Sequence, residues 1–400
     1  MSNQFPKLAC LQECTGCLAC VDCCRHNAIS YLISNDGHYY VKINEEQCVG
    51  CLICENVCPI ASKQKYGESD TSSFYAAWNK DDTERMKSAS GGAFSAMAHY
   101  VIERGGVVIG AATENVCDVK HIAITDIEGL KLIQGSKYTQ SNSSGIYKEA
   151  YGLLKEGKTV LFSGTGCQVG GLLSYLKEKK YEGKLITVDL ICGGVPSKLL
   201  LQKFVENEPY EVRKIVSYRT KETGWKPKGF IYNMKVEDAE GILHDYTGKN
   251  NLVTTGFSTE MTNRYSCYDC KFAGTHRKSD FTIGDLWGDE QYPNEHYKGL
   301  SLIVAHNENA IQLLTEMSDY LATSPYNNIS AIASNYRLVD GTNAKGALWE
   351  RKLMSLMFKK CSYKVLNKVY ANDYSNCSLW VLLKIVRKLC LAGKKIVMKV

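Results

Sequence analysis

The sequence predicts an α/β chain, α+β overall, in three parts: a small cysteine-rich module, a larger domain of alternating strands and helices, and a helical C-terminal tail. Three observations predict it. Ten of the 18 cysteines fall before position 60. Between Ser90 and Phe204, apolar runs flanked by glycine alternate with segments of helical periodicity. The last stretch sets leucine and valine at helical spacing among lysines. The expected division is 1–62, a linker over 63–74, a domain over 75–325, and a helical region over 326–400.

The module comes first. The opening, MSNQFPKLAC, has no apolar h-region, so the expected compartment is the cytoplasm, where thiols serve metals or catalysis rather than bridges. Cys14, Cys17, Cys20 and Cys24 give C-x2-C-x2-C-x3-C; Cys48, Cys51, Cys54 and Cys58 repeat that spacing, the last followed by Pro59. Two such runs are the signature of a two-cluster ferredoxin. Three thiolates of one run cap three irons of a cubane, and the fourth iron takes a cysteine of the other run. The expected ligands are therefore Cys14, Cys17, Cys20 and Cys58 for one 4Fe-4S cluster, and Cys48, Cys51, Cys54 and Cys24 for the other. Paired C-x2-C motifs also suit zinc, but tetrahedral zinc leaves the third and fourth cysteines of each run unused. One departure is that Cys24 precedes Arg25 where proline is usual, and Cys23 sits beside it as a competitor. Cys10 and Cys23 are expected to be bystanders. Between the runs, AISYLISNDGHYYVKI predicts two short strands around an Asn-Asp-Gly turn, which completes a ferredoxin-like module. SKQKYGESDTSS then has the composition of a linker.

In the larger domain, Ser90 stands where it would cap a helix carrying Phe94, Met97 and Val101 on one side, followed by a Gly-Gly break and an apolar strand. GKTVLFSGTGCQVGGLLSYLKEKK predicts strand, Gly-rich turn and helix, and GKLITVDLICGGVPSKLLLQKF another strand running into a loop and helix. Such alternation predicts a largely parallel sheet. In such sheets, ligands sit at the carboxyl ends of the strands, where helix N-termini present free amides to anions. The loops SASGG, GSKYTQS and SGTGCQ are candidates for holding the phosphates of a dinucleotide, or are tight turns. No G-x-G-x-x-G follows a strand and no Walker lysine motif is present.

SGGAFSAMAHYVIERGG, GSKYTQSNSSGIYKEAYGLLKEGKTVLFSGTGCQVGGL, ICGGVPS and RYSCYDCKFAGTHRKSDFTIGDLWG, in this order, resemble the signature blocks of the beta subunits of coenzyme F420 hydrogenases and dehydrogenases. The resemblance spans roughly residues 1 to 305, because members with a fused two-cluster ferredoxin head are common; relatives include hydroxymethyl-chlorophyll reductase. It implies FAD and iron–sulfur clusters in one polypeptide. It also implies FAD contacts at Ser90, Gly91 and Gly92, at Ser136, Lys137 and Tyr138, and at Gly164, Thr165, Gly166 and Gln168, with Lys137 facing a phosphate or the flavin ring. Family members without the ferredoxin head still carry a cluster, which makes Cys167, Cys192, Cys267 and Cys270 the candidate set for a third. Where the family shows Thr-Pro-Cys-Gln this chain has Thr165-Gly166-Cys167-Gln168, and its Cys-His-Gly becomes Cys192-Gly193-Gly194.

The net charge is +6, and six basic residues from Tyr374 onward, Lys384, Arg387, Lys388, Lys394, Lys395 and Lys399, account for all of it. With Leu379, Leu382, Val386 and Leu389 at helical spacing, this tail predicts a basic amphipathic helix. It would lie on the inner membrane surface, dock a partner or pack on its own domain. The remaining chain is electrically balanced, which excludes nucleic acid as the expected partner. The expected function is an iron–sulfur flavoprotein oxidoreductase. It would move electrons between a deazaflavin-like or small organic hydride donor or acceptor, FAD, two or three 4Fe-4S clusters and a redox partner protein. The alternatives are an adaptor that feeds electrons to a partner enzyme without turnover of its own, and a scaffold whose metal only stabilises the fold. No nucleophile–base constellation competes with flavin chemistry.

Overall fold

The two cysteine runs fold alike. The computed structural model describes residues 5–62, 72–219, 221, 225, 233–247, 251–258, 260–287, 291–342 and 347–370. Within the first run Gly16 (φ 67°) and Leu18 (φ 63°) are left-handed, and within the second Gly50 (φ 68°) and Leu52 (φ 58°). Each loop enters a five-residue helix, Ala19–Cys23 and Ile53–Val57. A left-handed leucine costs about 1–3 kcal/mol and persists only where its surroundings over-determine it. Its recurrence at matching places gives the module an internal repeat. Between the runs β1 (Ile29–Ile33) and β2 (Tyr39–Ile43) pair antiparallel, Ile33 opposite Tyr39, with left-handed Gly37 in the turn, the hairpin expected from sequence.

The remaining strands are β3 (Ser73–Asn79), β4 (Val107–Thr113), β5 (Val119–Ile124), β6 (Ser141–Asn142), β7 (Val160–Thr165), β8 (Leu185–Leu190), β9 (Val212–Ser217), β10 (Asn233–Asp238), β11 (Leu243–Thr247), β12 (Phe281–Asp285), β13 (Ser301–Ala305) and β14 (Leu321–Pro325). Among the described residues one sheet of nine strands dominates, ordered β14-β3-β13-β12-β8-β7-β4-β5-β6. Its centre, β4, β7, β8 and β12, is parallel. These strands are largely buried, because helices or packed loops cover both faces. The flanks are not what the alternation predicts: β12, β13, β3 and β14 pair antiparallel, as do β4 and β5. The physical reason is the connection after β12. It holds no crossover helix among the described residues, so the chain returns beside its own strand in the opposite sense. The segment 63–71 of the expected linker lies outside the described residues, and β3 begins inside its last part.

The sheet's two faces bury different partners. On one, helices Ala93–Ile102 and Glu308–Glu316 press Met97, Val101, Leu313 and Leu314 onto Val108, Leu161, Ile186 and Ile303. On the other, Ile109, Val160 and Phe162 meet helices Ile146–Lys155 and Gly166–Leu176, and the cysteine module packs against this same layer through Cys17, Cys20, Cys23 and Ile29. Met97 and Val101 are buried as the helical spacing predicts, but Ser90 is not the cap. Gly92, left-handed at φ 82°, caps that helix, and Ser90 Oγ instead donates to Leu300 O (2.7 Å).

The module is fastened to the larger domain by polar clamps. The Asp22 carboxylate accepts from Gly145 N (2.6 Å) and Tyr147 N (3.0 Å), capping helix Ile146–Lys155 from across the interface. Tyr147 Oη donates to Cys17 O (2.8 Å), Gln140 Oε1 accepts from Tyr39 N (3.0 Å), and Arg351 pairs with Asp36 (2.5 Å) in the interior. A three-stranded sheet, β11-β10-β9, forms a separate small core with helices Lys198–Asn207, Leu252–Ser258 and Tyr363–Tyr370. The basic segment from Tyr374 lies outside the described residues. No helix among the described residues is long and apolar enough to cross a membrane.

Candidate functional site

The thiols fall into three neighbourhoods, although among the described residues no three of them converge on a single metal ion. Burial pushes the Cys17 thiol up to about 12, with Cys58 and Cys14 adding to the rise. Cys20 is driven well upward by burial, then by Cys17, Cys14 and Cys58. Cys58 of the second run therefore lies within electrostatic reach of Cys17 and Cys20 of the first. Conversely Cys24 joins Cys48, Cys51 and Cys54 around a cavity of about 20 Å³. Burial lifts Cys54 to about 11, with Cys51 and Cys24 among its neighbours. Cys23 is buried beside Cys54, Cys24 and Cys51, with Sγ donating to Cys20 O (3.3 Å), whereas Cys10 is exposed and bonds Glu13. Backbone amides point at sulfur in both groups, Ala28 N at Cys24 Sγ (3.3 Å) and Ala61 N at Cys58 Sγ (3.4 Å). Such amide donors are one of the levers on a cluster's potential.

The third group lies in the larger domain. Cys167 opens helix Gly166–Leu176, Cys192 follows β8, and Cys267 lies in the 3-10 turn Tyr265–Asp269, with Cys270 just beyond it. Burial raises Cys267 to about 12 and Cys192 to about 11, and the charges of Cys192 and Cys270 add to Cys267. Cys167 is driven up by burial, then by Cys192, Cys270 and also Cys17 of the first group. Amides again face sulfur: Gly194 N to Cys192 Sγ and Val195 N to Cys267 Sγ, each 3.4 Å. One turn beyond Cys167 a Cβ on Gly171 would lie 3.2 Å from Cys17 Sγ, so the helix touches the first group without a side chain between. Protonated thiols of this kind lose their protons when metal binds, so coordination and folding are coupled.

A cavity of about 500 Å³ adjoins these thiols, within the usual range for small-molecule sites. All three Gly/Ser/Thr-rich loops reach it: Ser90 and Gly92, then Ser136, Lys137 and Tyr138, then Gly164, Thr165 and Gln168. Gly91 and Gly166 are not in the wall. A Cβ on Gly91 would strike Ser301 N and Ala77 O at 2.5 and 2.6 Å, and one on Gly166 would press on Phe272. Both therefore serve packing. Helices Ala93–Ile102 and Gly166–Leu176 bring their N-termini to the wall, the second closed by a capping box in which Gln168 Oε1 accepts from Thr165 N (3.0 Å). Lys137 Nζ is turned to the C-terminal carbonyls of helix Ile127–Ile133, donating to Gln134 O (2.9 Å) and Leu132 O (3.2 Å); burial lowers its proton affinity to about 7. Thr139 Oγ1 is buried against the cavity without a partner in the described structure.

Residues that sequence reading did not single out hold this wall in place. Arg85, fully buried, donates to Gly299 O through Nε (2.9 Å) and Nη2 (2.6 Å), and Nη1 pairs with Glu295 (2.5 Å). Lys221 Nζ donates to Arg85 O (2.6 Å), Lys298 O (2.8 Å) and Ser90 O, and so ties down the SASGG loop. Arg219 forks onto Asp285 (2.7 and 2.8 Å) at the cavity edge and reaches Ala89 O. His121 lies stacked on Phe162, and burial lowers it to about 4, so it is neutral. Ser163 O can only accept, so Nε2 carries the hydrogen (3.1 Å) and Nδ1 accepts from Ser141 Oγ (2.8 Å). Where the related motif has histidine, a Cβ on Gly193 would stand 2.6 Å from Arg337 Cζ, so the Arg337 guanidinium fills that space, paired with Glu260 (3.2 Å).

The cavity wall also includes Thr15 and Gly16, between Cys14 and Cys17, and Cys167 and Cys192. One chamber thus borders two of the three thiol groups. Comparison with known proteins matches three family descriptions in succession. They are a 4Fe-4S dicluster domain over residues 13–62, the beta-subunit N-terminus of coenzyme F420 hydrogenase/dehydrogenase over 74–148, and the C terminus of that subunit over 157–328. A solved chain, from the F420-reducing nickel–iron hydrogenase complex of Methanosarcina barkeri, is 18% identical with a TM-score of 0.44, over 76% of this chain and 94% of that one. No curated protein matches. The chain belongs to the coenzyme F420 hydrogenase/dehydrogenase beta subunit family and carries a 4Fe-4S dicluster domain at its N-terminal end.

Proposed function

We propose that the chain is a flavin-dependent iron–sulfur oxidoreductase in which FAD occupies the 500 Å³ cavity and three 4Fe-4S clusters lead away from it. The ligands would be Cys167, Cys192, Cys267 and Cys270 next to the cavity, then Cys14, Cys17, Cys20 and Cys58, then Cys48, Cys51, Cys54 and Cys24. The observation that carries the reading is the shared wall: the same chamber meets two helix N-termini, Cys167, Cys192 and the Cys14–Cys17 loop. When bound, a flavin supplies the conversion between two-electron hydride chemistry and single-electron transfer that clusters require.

The chain's own residues supply the rest. The N-terminal amides of helices Ala93–Ile102 and Gly166–Leu176 offer donors for a pyrophosphate, and Thr139 Oγ1 is a buried hydroxyl left over for a ligand atom. Arg219, neutralised by Asp285, supports Ala89 and through it the first loop. Ser334 to Arg337, from the C-terminal helical region, close one side of the chamber and restrict water. Cys51 is exposed and Cys48 half-exposed, so the outermost cluster faces solvent, where a redox partner protein could meet it. The substrate would be a hydride donor or acceptor of deazaflavin-like or small organic type. On this reading the chain divides as 1–62 for the clusters, 63–74 as connection, 75–325 for the flavin domain and 326–400 as the C-terminal region.

Ala111 lies on β4 in the cavity wall. Ala111→Phe is expected to cut bound flavin to less than about a tenth, because a phenyl ring in a site competes with the ligand at modest overpacking cost, while iron content stays at the wild-type level. Measuring both in the anaerobically purified protein checks this. Wild-type flavin in the variant would mean that the cofactor sits elsewhere or is not held.

A further inference from the structure

Arg264 is buried, with its guanidinium between two thiol groups. Nε donates to Cys14 O (2.6 Å), Nη1 reaches Gln140 Oε1 (3.4 Å), and Cζ lies 4.1 Å from the centre of the Tyr40 ring. Its backbone belongs to the other group: Arg264 N donates to Val195 O (2.9 Å), Arg264 O accepts from Cys267 N (3.1 Å), and Val195 N points at Cys267 Sγ. Nη2 is buried with no partner, and no carboxylate pairs with the side chain among the described residues. The neighbouring buried Arg351 differs, being neutralised by Asp36. A buried charge without a counter-ion costs several kcal/mol, so negative charge is needed beside it. Four thiolates around a cluster bring net negative charge, and each electron accepted adds to it.

We infer that Arg264 is the fixed positive charge that raises the reduction potentials of the cluster held by Cys14, Cys17, Cys20 and Cys58 and of the one held by Cys167, Cys192, Cys267 and Cys270. It favours residence of the electron midway along the path. The inference rests on the ligand sets proposed above. No bond forms or breaks in the step concerned: one electron enters a cluster and the guanidinium stays charged, since arginine does not deprotonate in proteins. Arg264 is a tuning residue that acts on the clusters through charge and through Cys14 O.

The test is an EPR-monitored potentiometric titration of the full-length, cluster-loaded protein. Arg264→Gln is expected to lower both midpoints so that the reduced fraction relative to oxidised falls about tenfold or more at fixed potential, which is about 59 mV for a one-electron couple. The cluster of Cys24, Cys48, Cys51 and Cys54, which Arg264 does not touch, is expected to stay put. Arg264→Lys, which keeps the charge, is expected to stay within about threefold of wild type. Full iron content in Arg264→Gln with unmoved midpoints would overturn the inference. If that variant does not keep its iron, Arg264→Lys decides: a tenfold fall despite the retained charge would overturn it equally. Absence of iron from the wild-type protein would instead refute the ligand sets, so the two failures are distinguishable.

Discussion

Stripping the iron from the protein with a chelator under anaerobic, reducing conditions is expected to unfold the N-terminal module while the large sheet survives. The described part of that module has a two-stranded hairpin and two five-residue helices as its regular structure, too little to sustain a core by itself. Its interior is largely thiols, with Cys17, Cys20, Cys23 and Cys54 buried. It also contains two left-handed leucines that need outside support. Metal coordination energy becomes folding energy in such sites, on the order of 10 kcal/mol for structural zinc, and cubane clusters are expected to act in the same sense. Removal should therefore expose the module to protease and free Asp22 from the N-terminus of helix Ile146–Lys155, while the parallel strands β4, β7, β8 and β12 keep their protection in hydrogen exchange. Unchanged proteolysis of residues 5–62 after complete iron loss would show that the packing holds the module without metal.

The second large effect is expected from Arg85→Ala. The guanidinium fork satisfies Gly299 O, Glu295 O and the Glu295 carboxylate at once, and Lys221 is stacked onto the same loop by its bond to Arg85 O. Removing one partner of a buried ion pair costs about 3–5 kcal/mol. The lower end applies here because the Glu295 side chain is 31% exposed. The damage falls on Ser88, Ala89, Ser90 and Gly92, in the cavity wall, so flavin should be lost together with thermal stability and iron retained. Arg85→Lys should behave much like the alanine variant, because an ammonium cannot span three acceptors in the fixed geometry of the fork. A melting temperature within error of wild type would show that the network is redundant.

These expectations divide along a line visible in the chain itself. The cysteine spacing is a local code, and it carried the hairpin and the like folding of the two loops. The centre of the sheet was legible for the same reason: VVIGAA, VLFSGT and LITVDL each open on apolar residues and lie between segments of helical spacing. What escaped is non-local. The antiparallel pairing of β3, β13 and β14 joins segments more than 200 residues apart, and no residue near Ser73 announces it. Arg85 meets Gly299 across 214 residues and Arg219 meets Ala89 across 130, so neither carries a local signal. Serine is a common helix cap, but glycine tolerates the left-handed turn into Ala93, so Gly92 caps the helix and the Ser90 hydroxyl is free for Leu300 O. Of the residues singled out, Gly91 and Gly166 proved to be required by close packing behind the wall rather than in it. Arg264 stands three residues before Cys267 in RYSCYDC, and only the fold shows that its side chain turns back to Cys14.

The proposed function requires one chain to hold a flavin beside three iron–sulfur clusters. The direct measurement is iron, acid-labile sulfide and acid-extracted flavin on one anaerobically purified sample, with absorption spectra before and after dithionite. About twelve irons and one flavin per chain are expected, with flavin bands above a broad shoulder that bleaches on reduction. About eight irons per chain would remove the third cluster, and eight irons with no flavin would contradict the claim and leave an electron-transfer adaptor in its place.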